Sequence, residues 1–129
     1  MPDDKTVLLV DDIPEYLDVM ELNLPDGCRA VRAATAEEAK ALADQEAPSV
    51  AVIDIRLSES DEGNRDGLDL LIWMRERHPD TTVVMISAYR EFDYAAESLT
   101  LGAEFFLRKP IQPDEFRSCI EKVLKGDRG

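Results

Sequence analysis

Val50-Ala51-Val52-Ile53-Asp54 is a run of four apolar residues, three of them β-branched, closed by a carboxylate. A short run that is apolar at every position fits a strand covered on both faces, as in a parallel sheet. The same design recurs on either side of it. Thr6-Val7-Leu8-Leu9-Val10 runs into Asp11-Asp12, and Thr82-Val83-Val84-Met85-Ile86 runs into Ser87. Phe105-Phe106-Leu107 leads into Lys109-Pro110. Cys28 to Ala33 can form a further strand, less apolar and therefore nearer an edge.

Amphipathic stretches fill the intervals. Ile13, Leu17, Met20 and Leu24 recur at helical spacing; Asp12 can cap that helix and Pro14 suits its first turn. Thr35 followed by Glu38 has the spacing of a capping box for a helix to about Gln45. Leu68, Leu71, Ile72 and Arg75 trace a third helix that His78-Pro79 ends. A fourth is expected from Glu91 to Leu101, with Phe92, Ala96 and Leu99 on one face and Gly102 at its end. The last starts near Pro113 and carries Phe116, Cys119, Ile120, Val123 and Leu124 inward, with Lys122 and Lys125 at the negative end of its dipole. Strand and helix thus alternate about five times, the pattern of a doubly wound α/β sheet with helices on both faces.

The 129 residues fit one domain, with a core over about 5–125, and 44% apolar content suits a packed interior. Against 28 acidic side chains stand 15 basic ones, a formal charge of −13, which argues against a nucleic-acid surface. Met1-Pro2-Asp3-Asp4-Lys5 lacks the basic-then-apolar pattern of a secretory leader. No apolar run approaches the roughly 20 residues of a membrane span. A cytoplasmic chain without membrane or nucleic-acid partners is expected, with Cys28 and Cys119 as reduced thiols.

Right-handed crossovers bring the C-termini of parallel strands to one sheet edge, where open α/β folds bind ligands. Asp11, Asp12, Asp54, Ser87 and Lys109 all fall just past strands and so collect there. Each alone has a plain explanation, as a cap or a solvated charge. Together they form a chemical set. Three neighbouring carboxylates raise one another's pKa unless a cation offsets them, and hard oxygen ligands suit Mg²⁺. A carboxylate beside such a metal can attack phosphorus, while an ammonium and a hydroxyl offset charge on the transferring oxygens.

These residues, with Ser87-Ala88, Gly102-Ala103 and Lys109-Pro110 after an aromatic strand, make the chain resemble a response-regulator receiver domain of two-component signalling. The likeness runs from Lys5 to about Lys125. It implies a flavodoxin-like sheet of order 2-1-3-4-5 and a phosphoacceptor at Asp54. Asp12 and Asp54 would bind Mg²⁺ directly, Asp11 mainly through water, and the Arg56 carbonyl would be a further ligand. Lys109 would pair with the phosphoryl group, and its bond to Pro110 would be cis. Ser87 and Phe106 would form the switch, acting through packing because Phe106 lacks the hydroxyl of the Tyr common in relatives. The implied partners are a sensor histidine kinase or histidine phosphotransfer protein and a target docking on the fourth helix, fifth strand and last helix. Phosphorylation-dependent dimerisation through that face belongs to the same set of expectations.

The segment from Arg56 to Gly67 departs from the family pattern. It lacks a Pro near Ser58 and reaches its Gly several residues late, through a polar, acidic stretch. It reads either as a surface insertion or as a cover in which Glu59, Asp61 or Glu62 alters metal access and phosphate lifetime. A calcium loop fails, since the register of Glu62, Asn64, Asp66 and Gly67 puts Trp73 where a bidentate Glu is required. Arg56 and Tyr89 lie two residues past Asp54 and Ser87, where they either shield the acyl phosphate or, for Arg56, pair with the acidic loop. His78 is expected at an exposed helix end and Trp73 partly exposed. Two other functions stay open: a pseudo-receiver that only binds partners, and an aspartyl-phosphate phosphatase, which generally needs an Asp where Arg56 stands. A switch, rather than an enzyme with a diffusible product, is the leading expectation.

Overall fold

The computed structural model describes residues 5–55, 57, 66–87 and 92–125, the side chains of 92–95 excepted. Among the described residues, five strands and five helices alternate. They are β1 (Lys5–Val10), α1 (Pro14–Leu22), β2 (Cys28–Ala33), α2 (Ala36–Glu46), β3 (Val50–Asp54), α3 (Asp66–Arg77), β4 (Thr82–Ser87), α4 (Phe92–Thr100), β5 (Phe105–Arg108) and α5 (Pro113–Leu124). The strands form one parallel sheet in the order β2-β1-β3-β4-β5. This is the flavodoxin-like order that the resemblance implied, with the less apolar β2 at an edge.

Alternation along each strand separates two cores. Leu8, Val10, Ala51, Ile53, Val83 and Met85 face α2 and α3 and meet Ala39, Leu68, Leu71 and Met74. Val7, Leu9, Val50, Val52, Val84 and Ile86 face the other way and meet Leu17, Met20, Phe116 and Ile120 of α1 and α5. Each of these large side chains contributes about 1.5–3 kcal/mol on burial. Since the central strands are covered on both faces, they are apolar at consecutive positions.

Several helix ends follow local chemistry. Thr35 Oγ1 accepts a hydrogen bond from Glu38 N at 3.1 Å, and Glu38 Oε1 accepts one from Ala34 N at 2.9 Å. The expected capping box is present. Asp12, in contrast, does not cap α1. Its N-cap is Ile13, without a side-chain bond, and the Ile13 amide instead donates to Asp11 Oδ1 at 2.9 Å. The carboxylate one residue earlier is buried beneath the turn and reaches the amide first.

Two glycines permit close approaches. Gly67, in the first turn of α3, donates its amide to Ile55 O at 2.8 Å. A Cβ there would stand 2.0 Å from Asp54 O and 2.6 Å from Ile55 Cα, so only glycine lets α3 begin against the end of β3. Gly102 closes α4 at φ +111°, with the Arg75 side chain 3.0 Å from where a Cβ would be. Arg75 also donates to Pro79 O and Thr81 O at 3.2 Å each, tying α3 to the turn that leads into β4.

Some expected faces rotate. In α3 the inward residues are Leu68, Leu70, Leu71 and Met74, while Ile72 is exposed. In α4 Ala96 and Leu99 are exposed and Ser98 is buried; the Phe92 side chain lies outside the described set. Val123 and Leu124 are half-buried at the frayed end of α5. His78 is half-buried rather than exposed: Nε2 lies 2.8 Å from Asp44 Oδ1, and its ring centroid is 5.4 Å from that of Trp73. Trp73 itself is half-buried, as its off-face spacing predicts.

Candidate functional site

The C-terminal edge of the sheet carries the polar residues that the sequence assigns to it. Asp11 follows β1, Asp54 ends β3, Ser87 ends β4 and Lys109 follows β5. Parallel register sets them beside one another, since Asp54 pairs with Ile86 and Ser87 with Arg108. The loop after β5 is held by the Lys109 amide donating to Ser87 O at 2.8 Å, and the Lys109–Pro110 peptide is cis.

Burial distinguishes this set from surface charge. Asp11 is 0% exposed, Asp54 and Ser87 1% each, and the Lys109 side chain 1%. Asp12 is half-buried. Carboxylate oxygens of Asp11, Asp12 and Asp54 all lie within 4.8 Å of one another. Lys109 Nζ donates to Asp54 Oδ2 at 3.2 Å and lies 2.8 Å from Asp11 Oδ2. The second contact is out of line for a hydrogen bond, so Asp11 Oδ2 has no aligned donor among the described residues.

The electrostatics follow from that crowding. Burial pushes the Asp11 carboxyl above its ordinary pKa, and the neighbouring Asp12 charge adds to it, outweighing Lys109 and the Ile13 amide. Burial alone would lower the Lys109 pKa, but attraction to Asp54 and Asp11 carries it above its usual value. One ammonium faces three carboxylates. A further cation fits this donor set: hard oxygens from Asp11, Asp12 and Asp54, with a buried carboxylate oxygen lacking an aligned donor, match the preferences of a small divalent ion.

The other expectations divide. Phe106 is half-buried against the α2/α3 core, and Phe105 is half-buried against the α1/α5 core. Neither is simply core or simply exposed, because β5 is a sheet edge. Arg56, Tyr89 and the acidic residues Glu59, Asp61 and Glu62 lie outside the described residues. Neither cysteine forms a disulfide among the described residues; burial, with Glu115 nearby, pushes the Cys119 thiol up to about 11. One neighbour of the site was not foreseen. The Tyr16 ring covers Lys109 Nζ at 3.9 Å from its centroid. A signal for it existed, since Pro14 opens α1 and places Tyr16 in the first turn beside the strand ends.

The profile of the family described as "Response regulator receiver domain" matches residues 7–121. Response regulator protein PilR of Pseudomonas aeruginosa is 34% identical over 119 residues, covering 92% of this chain and 26% of its own length. Photosynthetic apparatus regulatory protein RegA of Cereibacter sphaeroides is 34% identical over 125 residues, covering 96% of this chain and 64% of its own. The crystal structure of the receiver domain of NtrX from Brucella abortus superposes with a TM-score of 0.82 at 33% identity, covering 92% of this chain and 98% of that one. The chain therefore spans about a quarter of PilR and somewhat under two thirds of RegA. Among the described residues, no helix is long and apolar enough to cross a membrane.

Proposed function

The chain belongs to the response-regulator receiver family, a family of signalling switches, and from that premise we propose that Asp54 is its phosphoacceptor. The observation that carries the reading is the Asp54 carboxylate. It is buried at the end of β3, donated to by Lys109 and grouped with Asp11 and Asp12. Asp11, Asp12 and Asp54, with the Arg56 carbonyl, would hold Mg²⁺. When bound, that ion offsets negative charge on the transferring oxygens.

The donor is a phosphohistidine on a sensor kinase or phosphotransfer protein, since His78 is engaged with Asp44 and remote from Asp54 in the chain. An Asp54 oxygen bonds to phosphorus as the P–N bond breaks. The electron pair stays on the imidazole nitrogen, which takes up a proton. Lys109 keeps its charge and turns from Asp54 towards the phosphoryl oxygens. Ser87, at the adjacent strand end, donates its hydroxyl to one of them. That movement makes room for Phe106, whose packing against the α2/α3 core carries the signal to the face formed by α4, β5 and α5. A downstream protein or a second phosphorylated copy docks there. Cytoplasmic residence suits such a partner set.

The test incubates the chain with Mg²⁺ and a small phosphodonor or beryllofluoride, following Trp73 fluorescence and intact mass. A stable adduct that depends on Mg²⁺ and is lost in Asp54→Asn supports the reading. Absence of any Mg²⁺-dependent response would indicate a pseudo-receiver. Turnover of a phosphate ester would indicate a phosphatase.

A further inference from the structure

Tyr16 touches the site without belonging to its acid, hydroxyl or ammonium groups. It stands in the first turn of α1, where the chain direction is fixed twice. Pro14 occupies the opening of the helix, and the Ile13 amide is held by Asp11 Oδ1 at 2.9 Å. The Tyr16 amide donates to Ile13 O at 3.1 Å. Its ring packs against the α1/α5 core, so its position is set by both backbone and packing.

Three groups surround the Lys109 ammonium among the described residues. They are Asp54 Oδ2 at 3.2 Å, Asp11 Oδ2 at 2.8 Å and the Tyr16 ring at 3.9 Å from its centroid. An ammonium has three N–H donors and is strongly hydrated in the open. Here the lysine side chain is 1% exposed, and the ring face stands where water would otherwise be. The π face attracts a cation, more strongly where water is excluded. Lys40 and Arg77 lie by comparison 5.7 Å from the Trp73 centroid, a looser arrangement.

Building on the phosphoacceptor reading, we infer that Tyr16 is a positioning residue for phosphoryl transfer, its ring fixing the Lys109 ammonium over the Asp54 carboxylate. Lysine has a long, flexible stem and carries a point charge without a preferred plane. With two carboxylates competing for it, a third contact decides where the charge stands. During transfer from acetyl phosphate, the Asp54 oxygen–phosphorus bond forms and the phosphorus–oxygen bond to acetate breaks. Acetate leaves with the electron pair as a carboxylate, and Lys109 keeps its proton. The ring takes part in no bond change and acts only through the lysine.

The intact chain is incubated with Mg²⁺ and acetyl phosphate while adduct formation on Asp54 is followed by mass. Tyr16→Phe keeps the ring and reacts within about twofold of wild type, while Tyr16→Leu reacts roughly tenfold slower. In a Lys109→Met background, Tyr16→Leu causes no further slowing, because the two residues act as one unit. Proton NMR supplies a readout that needs no phosphodonor. The Lys109 ε-methylene protons are shifted upfield by the ring in wild type and Tyr16→Phe, and return to ordinary positions in Tyr16→Leu. An unchanged rate in Tyr16→Leu, equal slowing with and without Lys109, or no upfield shift in wild type overturns the assignment. An adduct missing from wild type, or surviving Asp54→Asn, instead overturns the phosphoacceptor reading, before any Tyr16 variant is made.

Discussion

Two clusters in this molecule use the same ingredients to opposite ends. At the sheet edge, Asp11 and Asp54 flank Lys109 beneath the Tyr16 ring. On the surface between α2 and α3, Asp44 holds Arg77 Nε at 2.7 Å and His78 Nε2 at 2.8 Å on one oxygen, beside Trp73. Both join carboxylate, cation and aromatic ring. The Asp11 pKa is nevertheless raised and that of Asp44 lowered. The difference is solvent. Asp44 gains hydrogen bonds from Arg77 and His78 with little desolvation to offset them, whereas Asp11 loses its hydration and shares one ammonium with other acids. The outer cluster is a tie between helices. The inner one is under electrostatic stress that a bound cation would relieve.

The largest expected contrast is chemical. Asp54→Asn abolishes the phosphodonor-dependent mass adduct, whereas Asp44→Asn leaves its rate within twofold, about the scatter of surface changes. If both variants lost the adduct, the two clusters would not be functionally separate.

Next comes the ammonium. Lys109→Met slows transfer about 10²–10³-fold, the usual effect of removing one preorganised charge-stabilising donor. Arg77→Met has no effect on that rate. Stopped-flow Trp73 fluorescence checks Lys109→Met, and quenched-flow mass analysis checks Arg77→Met, whose side chain borders the indole.

Stability should respond in the opposite order. Asp11→Asn stabilises the metal-free protein by about 1–2 kcal/mol, because it removes a buried charge from a crowded set. The same change weakens Mg²⁺ binding, so it reduces the metal-induced rise in Tm. Urea denaturation with and without Mg²⁺ separates the two effects. A destabilised metal-free Asp11→Asn would show that the Ile13 and Lys109 contacts outweigh crowding.

The smallest effects lie in the pH dependence, and their signs differ. The folded pKa of Asp11 exceeds its ordinary value of 3.8, so its contribution is most favourable at low pH. That contribution is lost as pH rises through the raised value. Asp44 does the reverse. Its folded pKa lies below 3.8, so its contribution is present above that point and fades as pH falls through the lowered value. Metal-free Asp11→Asn therefore shows a smaller loss of stability on raising pH from the acidic side than wild type. Asp44→Asn shows a smaller loss on further acidification. Because Asp44 is exposed, its effect also shrinks in salt.

Much of the inner cluster was legible because strand burial and strand ends are both written locally. Val50 to Ile53 and Thr82 to Ile86 read as covered strands, and parallel connection then assembles Asp11, Asp54, Ser87 and Lys109. What stayed hidden depends on which side chain wins a shared partner. Asp12 and Asp11 are equal as letters, yet Asp11 takes the Ile13 amide because it lies beneath the turn. His78 read as exposed because its partner Asp44 is on another helix. Tyr16 was not singled out: Pro14 puts it in the first turn of α1, but only tertiary packing lays its ring over Lys109. In α3, Leu68, Leu70, Leu71, Ile72 and Trp73 offer two faces, and packing on the sheet chooses between them.

The bond from Gly67 to Ile55 acts as a clamp between helix and strand. It pins the start of α3 to the residue after Asp54 at 2.8 Å, whatever number of residues the chain takes to get from one to the other. Closing a longer loop costs only about 0.6 kcal/mol for each doubling of length. The contact of Gly67 with the end of β3, rather than the length of chain before it, therefore sets where α3 starts, and any side chain at position 67 would displace the helix from the carboxylate that defines the domain.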